Sequence, residues 1–195
     1  PNTGRMGELL LPNVVLILER STNPSRKTKF SVVAVYKGDL IVPITSVRAN
    51  DVVKNIVIPK LFNNPDIKAE VTYKKSRFDF LVGEGNKRTF IEVKSCTLFD
   101  GDRAIFPDAP TSRGLKHLNE LDDAIDNGYN SMVIFVVFNP NSLEFSPNSI
   151  TDAKFSNRVF ELKDRVKFIP YRVGVLADGT VYLPNENPII PIVFR

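Results

Sequence analysis

The sequence predicts an α/β fold of the α+β kind, a mixed sheet flanked by helices, preceded by a small unit of short strands. Three observations predict it. Two runs of β-branched and aromatic residues meet at Gly83-Glu84-Gly85-Asn86 and read as a hairpin, with glycine where the backbone needs positive φ. A later amphipathic segment leads into the wholly apolar run Ser131 to Phe138, as expected of a strand buried on both faces, so strand, helix and strand form a right-handed crossover. Before both lies a hairpin around Lys37-Gly38-Asp39. We place the small β unit at residues 1–58 and the main domain at 59–195.

Taken in order, Asn13 to Leu18 is strand-like, and Phe30 to Tyr36 with Leu40 to Ile44 form the first hairpin. Arg48 to Ile56 suits a short helix, and the prolines of 59–65 suggest a linker. Ile67 to Tyr73 is a strand that carries Glu70 and leads through Lys74-Lys75-Ser76-Arg77 into the central hairpin. After a loop with Gly101 and Pro107-Asp108-Ala109-Pro110, a helix starts at a Thr111 or Ser112 cap and ends at Gly128. Leu115, Leu118, Leu121, Ala124 and Ile125 make its apolar stripe. A second helix spans Asp152 to Lys163 with Phe155, Val159 and Leu162 inward. Val166 to Leu176 and Thr180 to Leu183 form a last hairpin, and Pro184 to Pro191 is tail.

With the central turn between Gly85 and Asn86, Val82 lies opposite Thr89, Phe80 opposite Ile91 and Asp79 opposite Glu92. Phe78, Phe80 and Val82 then share a core face with Thr89, Ile91 and Val93, while Arg77, Asp79, Glu92 and Lys94 share the other. Opposed carboxylates, with Cβ atoms roughly 4.5 to 5.5 Å apart, destabilise a sheet unless something neutralises them. A cation such as Mg²⁺ does so, because it takes one or two carboxylates and keeps its remaining positions for water and phosphate oxygens. Lys94 is then placed to orient water or to stabilise charge on a phosphate. The same four residues also fit an ordinary surface patch of mixed charge, and spacing leaves both readings open.

The chain has 195 residues and a formal charge of +4, unevenly spread. Residues 1–100 hold 16 Lys/Arg against 10 Asp/Glu, and residues 101–195 hold 10 against 12. A basic first half points to a polyanion such as nucleic acid, with Ser25-Arg26-Lys27-Thr28-Lys29 a loop able to meet phosphates. No apolar run reaches the ~20 residues of a membrane helix. One cysteine, Cys96, suits a reducing cytoplasm and reads as a small buried hydrophobe. No tryptophan is present to form a sugar platform.

Several stretches together resemble the sugar fermentation stimulation protein A family along nearly the whole chain. They are Pro-Asn-Thr-Gly-Arg-Met at 1–6, Asn-Pro-Ser-Arg-Lys-Thr at 23–28, Ser-Arg-Phe-Asp-Phe at 76–80, Glu-Val-Lys-Ser-Cys-Thr-Leu at 92–98 and Phe-Pro-Asp-Ala-Pro-Thr-Ser-Arg-Gly-Leu-Lys-His-Leu at 106–118. The resemblance implies an N-terminal OB-like barrel whose first strand precedes Pro1, a restriction-endonuclease-like core, and DNA binding without sequence preference. Asp79 and Glu92-Val93-Lys94 match that nuclease superfamily's acidic residue and Asp/Glu-x-Lys signature, though Phe78 stands where a proline often precedes the first acid. Glu70 becomes a further metal ligand beside Asp79 and Glu92 for Mg²⁺ or Mn²⁺, and His117, one helical turn after Arg113, a catalytic candidate.

Two functions are therefore expected as alternatives. One is a metal-dependent DNA phosphodiesterase using Asp79, Glu92, Lys94 and His117. The other is a non-catalytic DNA-binding regulator of sugar metabolism on the same fold. In either, Arg5, Arg26, Lys27, Lys29, Lys74, Lys75 and Arg77 are the phosphate-contacting set, a homo-oligomer is possible, and no membrane is involved.

Overall fold

The computed structural model describes residues 5–194, so Pro1 to Gly4 of the first motif lie outside the described residues. The N-terminal unit is a three-stranded antiparallel sheet of β1 (Leu16–Arg20), β2 (Phe30–Lys37) and β3 (Leu40–Pro43), in that order. Its second hairpin closes through Gly38 at φ 59°, as the turn sequence predicts. A continuous helical stretch follows, consisting of α1 (Val47–Val52), a π turn (Val53–Val57) and α2 (Ile58–Leu61). The linker expected at 59–65 is thus helical through Leu61. Pro59 lies at the junction of the π turn and α2.

The main sheet has five strands: β4 (Asp66–Tyr73), β5 (Ser76–Glu84), β6 (Lys87–Cys96), β9 (Asn130–Val137) and β11 (Lys167–Arg172), ordered β11-β9-β6-β5-β4. The first three are an antiparallel meander, and β9 and β11 join in parallel. The central hairpin has the predicted register, with Val82 opposite Thr89, Phe80 opposite Ile91 and the turn at Gly85-Asn86. Parallel pairing of β6 with β9 follows from the crossover through α3 (Ser112–Asp126). Thr111 caps α3 by accepting from the Gly114 N–H at 2.9 Å, and Asp152 caps α4 (Ala153–Glu161) by accepting from the Phe155 N–H.

Three short strands fall where the sequence suggests loops. β7 (Leu98–Asp100), β8 (Arg103–Phe106) and β10 (Glu144–Pro147) form a small sheet ordered β10-β8-β7. The last predicted hairpin is also split. Lys167–Arg172 pairs in parallel with β9, and only β12 (Gly174–Val175) with β13 (Val181–Tyr182) form the hairpin. The tail packs along the sheet through bridges Tyr171↔Ile189 and Phe145↔Ile192.

Two apolar layers cover the main sheet. One contains Phe80, Val82, Ile91 and Val93, together with Ala49, Val52 and Val53 of the helical stretch and Val35 and Val42 of the N-terminal sheet. The other, under α3 and α4, contains Phe90, Cys96, Leu118, Leu121, Val133, Phe135 and Phe155. Phe78 belongs to this second layer, not with Phe80 and Val82 as strict alternation predicts. The change of face coincides with Glu70, whose left-handed φ of 56° interrupts β4 between the pairs Ala69↔Phe80 and Val71↔Phe78. Beyond it both strands turn over, so Val71 and Phe78 face the helices while Ile67 and Phe80 face the opposite layer.

Candidate active site

A cleft of about 580 Å³ lies beside the turnover at Glu70, at the end of the central hairpin. Its floor is Glu70, Asp79, Glu92, Lys94 and Ser95; one wall is Ser46, Val47, Ala49 and Asn50, and the other is the segment Phe106 to Arg113. Asp79 and Glu92 are not a laddered cross-strand pair. The ladder ends at Phe80↔Ile91, and the Val93 N–H donates instead to Asp79 Oδ2 at 2.8 Å. Asn50 Nδ2 donates to Asp79 Oδ1, also at 2.8 Å. Burial, then the neighbouring Glu92 charge, push the Asp79 carboxyl above its ordinary value, against these two hydrogen bonds and Lys94.

Glu92 is buried beneath the first half of α3, on the same side of the sheet as Phe90, Lys94 and Cys96. Its Oε1 accepts from Lys94 Nζ at 2.6 Å and is 2.5 Å from His117 Nδ1. Arg113 Nε donates to His117 Nε2 at 3.4 Å, so the imidazole proton is assigned to Nδ1, where it donates to Glu92. His117 is itself buried, with its ring edge-on to Phe78 at 5.7 Å. Burial pushes the Glu92 carboxyl up, but the Lys94 ammonium and His117 outweigh it and hold the group below the usual carboxylate range. Glu92 Oε2, by contrast, is buried without a hydrogen-bond partner.

Of the predicted metal ligands, Asp79 and Glu92 line the cleft and feel each other electrostatically. Glu70 also lines it, but its carboxylate is paired with Arg77 Nε at 2.6 Å. Among the described residues no three His, Cys, Asp or Glu side chains converge tightly enough to hold an ion by themselves. Two carboxylates, one of which keeps a buried oxygen without a partner, nevertheless fit a Mg²⁺-type ion, which completes its shell with water and phosphate. Asn50 and the wall from Phe106 to Arg113 were not among the expected site residues. The quoted Phe-Pro-Asp-Ala-Pro-Thr-Ser-Arg motif marked the wall, but nothing local marks Asn50.

The predicted phosphate contacts are scattered. Arg26, Lys27 and Lys29 are exposed on the β1–β2 loop and do not line the cleft. Lys74 pairs with Asp123, Arg77 with Glu70, and the Lys75 carbonyl accepts from Lys116 Nζ. Arg5 does not line the cleft either, but its backbone N–H donates to Asp108, which does.

The family described as "SfsA N-terminal OB domain" matches residues 1–44, and "Sugar fermentation stimulation protein RE domain" matches residues 47–179. The chain belongs to the sugar fermentation stimulation protein family. It is 44% identical over 165 residues to a sugar fermentation stimulation protein homolog of Clostridium beijerinckii, covering 84% of this chain and 73% of that one. A homolog from Clostridium perfringens is 40% identical over 195 residues, covering 97% and 84%. The solved structure of Pyrococcus furiosus SfsA, described as a complex with Ca²⁺, has the same fold: TM-score 0.86 at 24% identity, over 98% of this chain and 83% of that one. The mixed α+β fold with an N-terminal OB unit is therefore as expected. Among the described residues no helix is long and apolar enough to cross a membrane.

Proposed function

We propose that the protein binds DNA through its phosphates and cleaves phosphodiester bonds with a divalent cation, Mg²⁺ or Mn²⁺, held by Asp79 and Glu92. The observation behind this reading is the pairing in one cleft of a buried carboxylate, Glu92, whose Oε2 is orphaned, with a half-buried one, Asp79, and an ammonium, Lys94 Nζ, beside them. Such an ion, when bound, supplies an activated water and neutralises charge on the phosphate. Lys94 orients that water or meets charge that develops in the transition state. His117, with Nδ1 on Glu92 and Nε2 toward Arg113, holds the carboxylate in place instead of taking a proton from substrate. Arg113 offers its guanidinium to a phosphate at the cleft wall. That a protein of the same fold is described with Ca²⁺ accords with a cation at carboxylates.

One observation favours the second reading, DNA binding without cleavage: the Glu70–Arg77 pair ties up the third carboxylate. Purified protein with Mn²⁺ separates the two. Cleavage requires that EDTA stop the reaction and that Lys94→Ala abolish it with DNA affinity largely intact, because a group acting in the transition state lowers rate more than ground-state binding. Activity unchanged in both Lys94→Ala and Asp79→Ala belongs to a contaminant and sinks the catalytic reading. For binding, replacing Arg26, Lys27 and Lys29 by Ala is expected to flatten the log-log salt dependence of affinity by ~0.7 to 0.9 per lost contact. An unchanged slope removes that loop from the interface.

A further inference from the structure

We infer that Asn50 is a positioning residue for Asp79, so that the helix joining the N-terminal unit to the core sets the geometry of the cation site. The inference rests on the metal-site reading above. Asp79 has two carboxylate oxygens, and each is fixed by one donor: Oδ2 by the Val93 backbone and Oδ1 by the Asn50 amide, both at 2.8 Å. The backbone donor comes with the sheet. The side-chain donor comes from an element 29 residues earlier in the chain.

Several features aim it. Asparagine inside a helix is less favourable than alanine, since its amide competes with the backbone. Here the amide is directed at Asp79 instead, on the wall of the cleft. Ala49, Val52 and Val53 are buried in the layer that also holds Val93, which pins α1 against the sheet. A π turn begins at Val53, immediately after α1, a local widening that is common beside functional sites.

Without the Asn50 amide the carboxylate keeps only the Val93 N–H on Oδ2, and one hydrogen bond leaves it free to rotate out of a ligating orientation. Outer partners of metal ligands change metal affinity by about 10- to 100-fold when removed.

The test is calorimetric titration of the full chain with MnCl₂, using the unsubstituted protein, Asn50→Ala and Asn50→Leu. The leucine variant keeps side-chain bulk while removing the donor, and thermal melts in EDTA report the fold of each. The expected result is Mn²⁺ affinity weakened 10- to 100-fold in both variants, with melts in EDTA close to the parent. Affinity within about twofold of the parent overturns the role of Asn50, including when the melting temperature falls, because Asn50 is then structural only. Absence of Mn²⁺ binding by the parent overturns the metal-site reading, and this one with it.

Discussion

Single atoms divide the labour in the cleft. Glu92 Oε1 serves Lys94 and His117 at once while Oε2 serves nothing, and Asp79 gives one oxygen to a backbone N–H and the other to an amide. These carboxylates are held in orientation before any ligand arrives, which lowers the entropy lost on binding. Four residues beyond Glu92, Cys96 is the opposite kind of group. It is fully buried, its Sγ donates to the Ile105 carbonyl at 3.3 Å, and burial pushes the thiol up to about 12. Since the thiolate is the reactive form, a chromogenic disulfide reagent at pH 8 is expected to leave the folded protein unlabelled and to titrate one thiol in guanidinium. Rapid labelling of the native chain contradicts this burial.

At the scale of elements, the start of α3 is the most tightly specified junction. Asp152 caps α4 with one oxygen and accepts the Thr111 N–H with the other, so the two helix starts are tied together. A Cβ at Gly114 meets Thr111 Oγ1 at 2.8 Å, Thr111 Cγ2 at 2.9 Å and Phe155 Cδ2 at 3.2 Å. Gly114→Ala ought to gain up to ~1 kcal/mol of helix propensity, but displacing the cap and Phe155 costs more, for a net loss of about 1–2 kcal/mol. Denaturant melts decide; a stabilised variant means the cap can shift freely. This cap was legible in the sequence because the signal is local, as was the hairpin register, set by Gly85-Asn86. The rest was not, for reasons of distance and length. Strands of three or four residues such as Leu98–Asp100 give too few alternations to read. The partner of Lys167–Arg172 is a distant parallel strand, and nearby Gly179 suggests a hairpin instead. Phe78 faces the helices opposite a backbone rotation at Glu70, one strand away, which no pattern in β5 itself announces, and Asn50 finds Asp79 only once α1 is docked.

In the whole molecule, one apolar layer runs from Met6, Val35 and Val42 through Val52 and Val57 to Ile134 and Val173. The N-terminal sheet thus shares its core with the main sheet, and the family matches at 1–44 and 47–179 meet within it. Cooperative units follow shared cores, so a single unfolding transition, coincident by far-UV dichroism and intrinsic fluorescence, is the expected behaviour. Two resolved transitions would mean that the layer is not continuous in energy. The kink at Glu70 has a separate consequence for solubility. β4 is an outer strand of the five-stranded sheet, and an outer strand offers unpaired backbone groups to any neighbouring chain. A left-handed residue in its middle, Glu70, breaks the straight row of donors and acceptors, and Asp66 and Lys68 earlier in the strand add charge to it. The opposite border is occupied by the tail, whose Ile190 N–H donates to Pro170 and whose Pro188 carbonyl accepts from Arg172. The distortion that borders the cleft therefore also denies other molecules a strand to pair with.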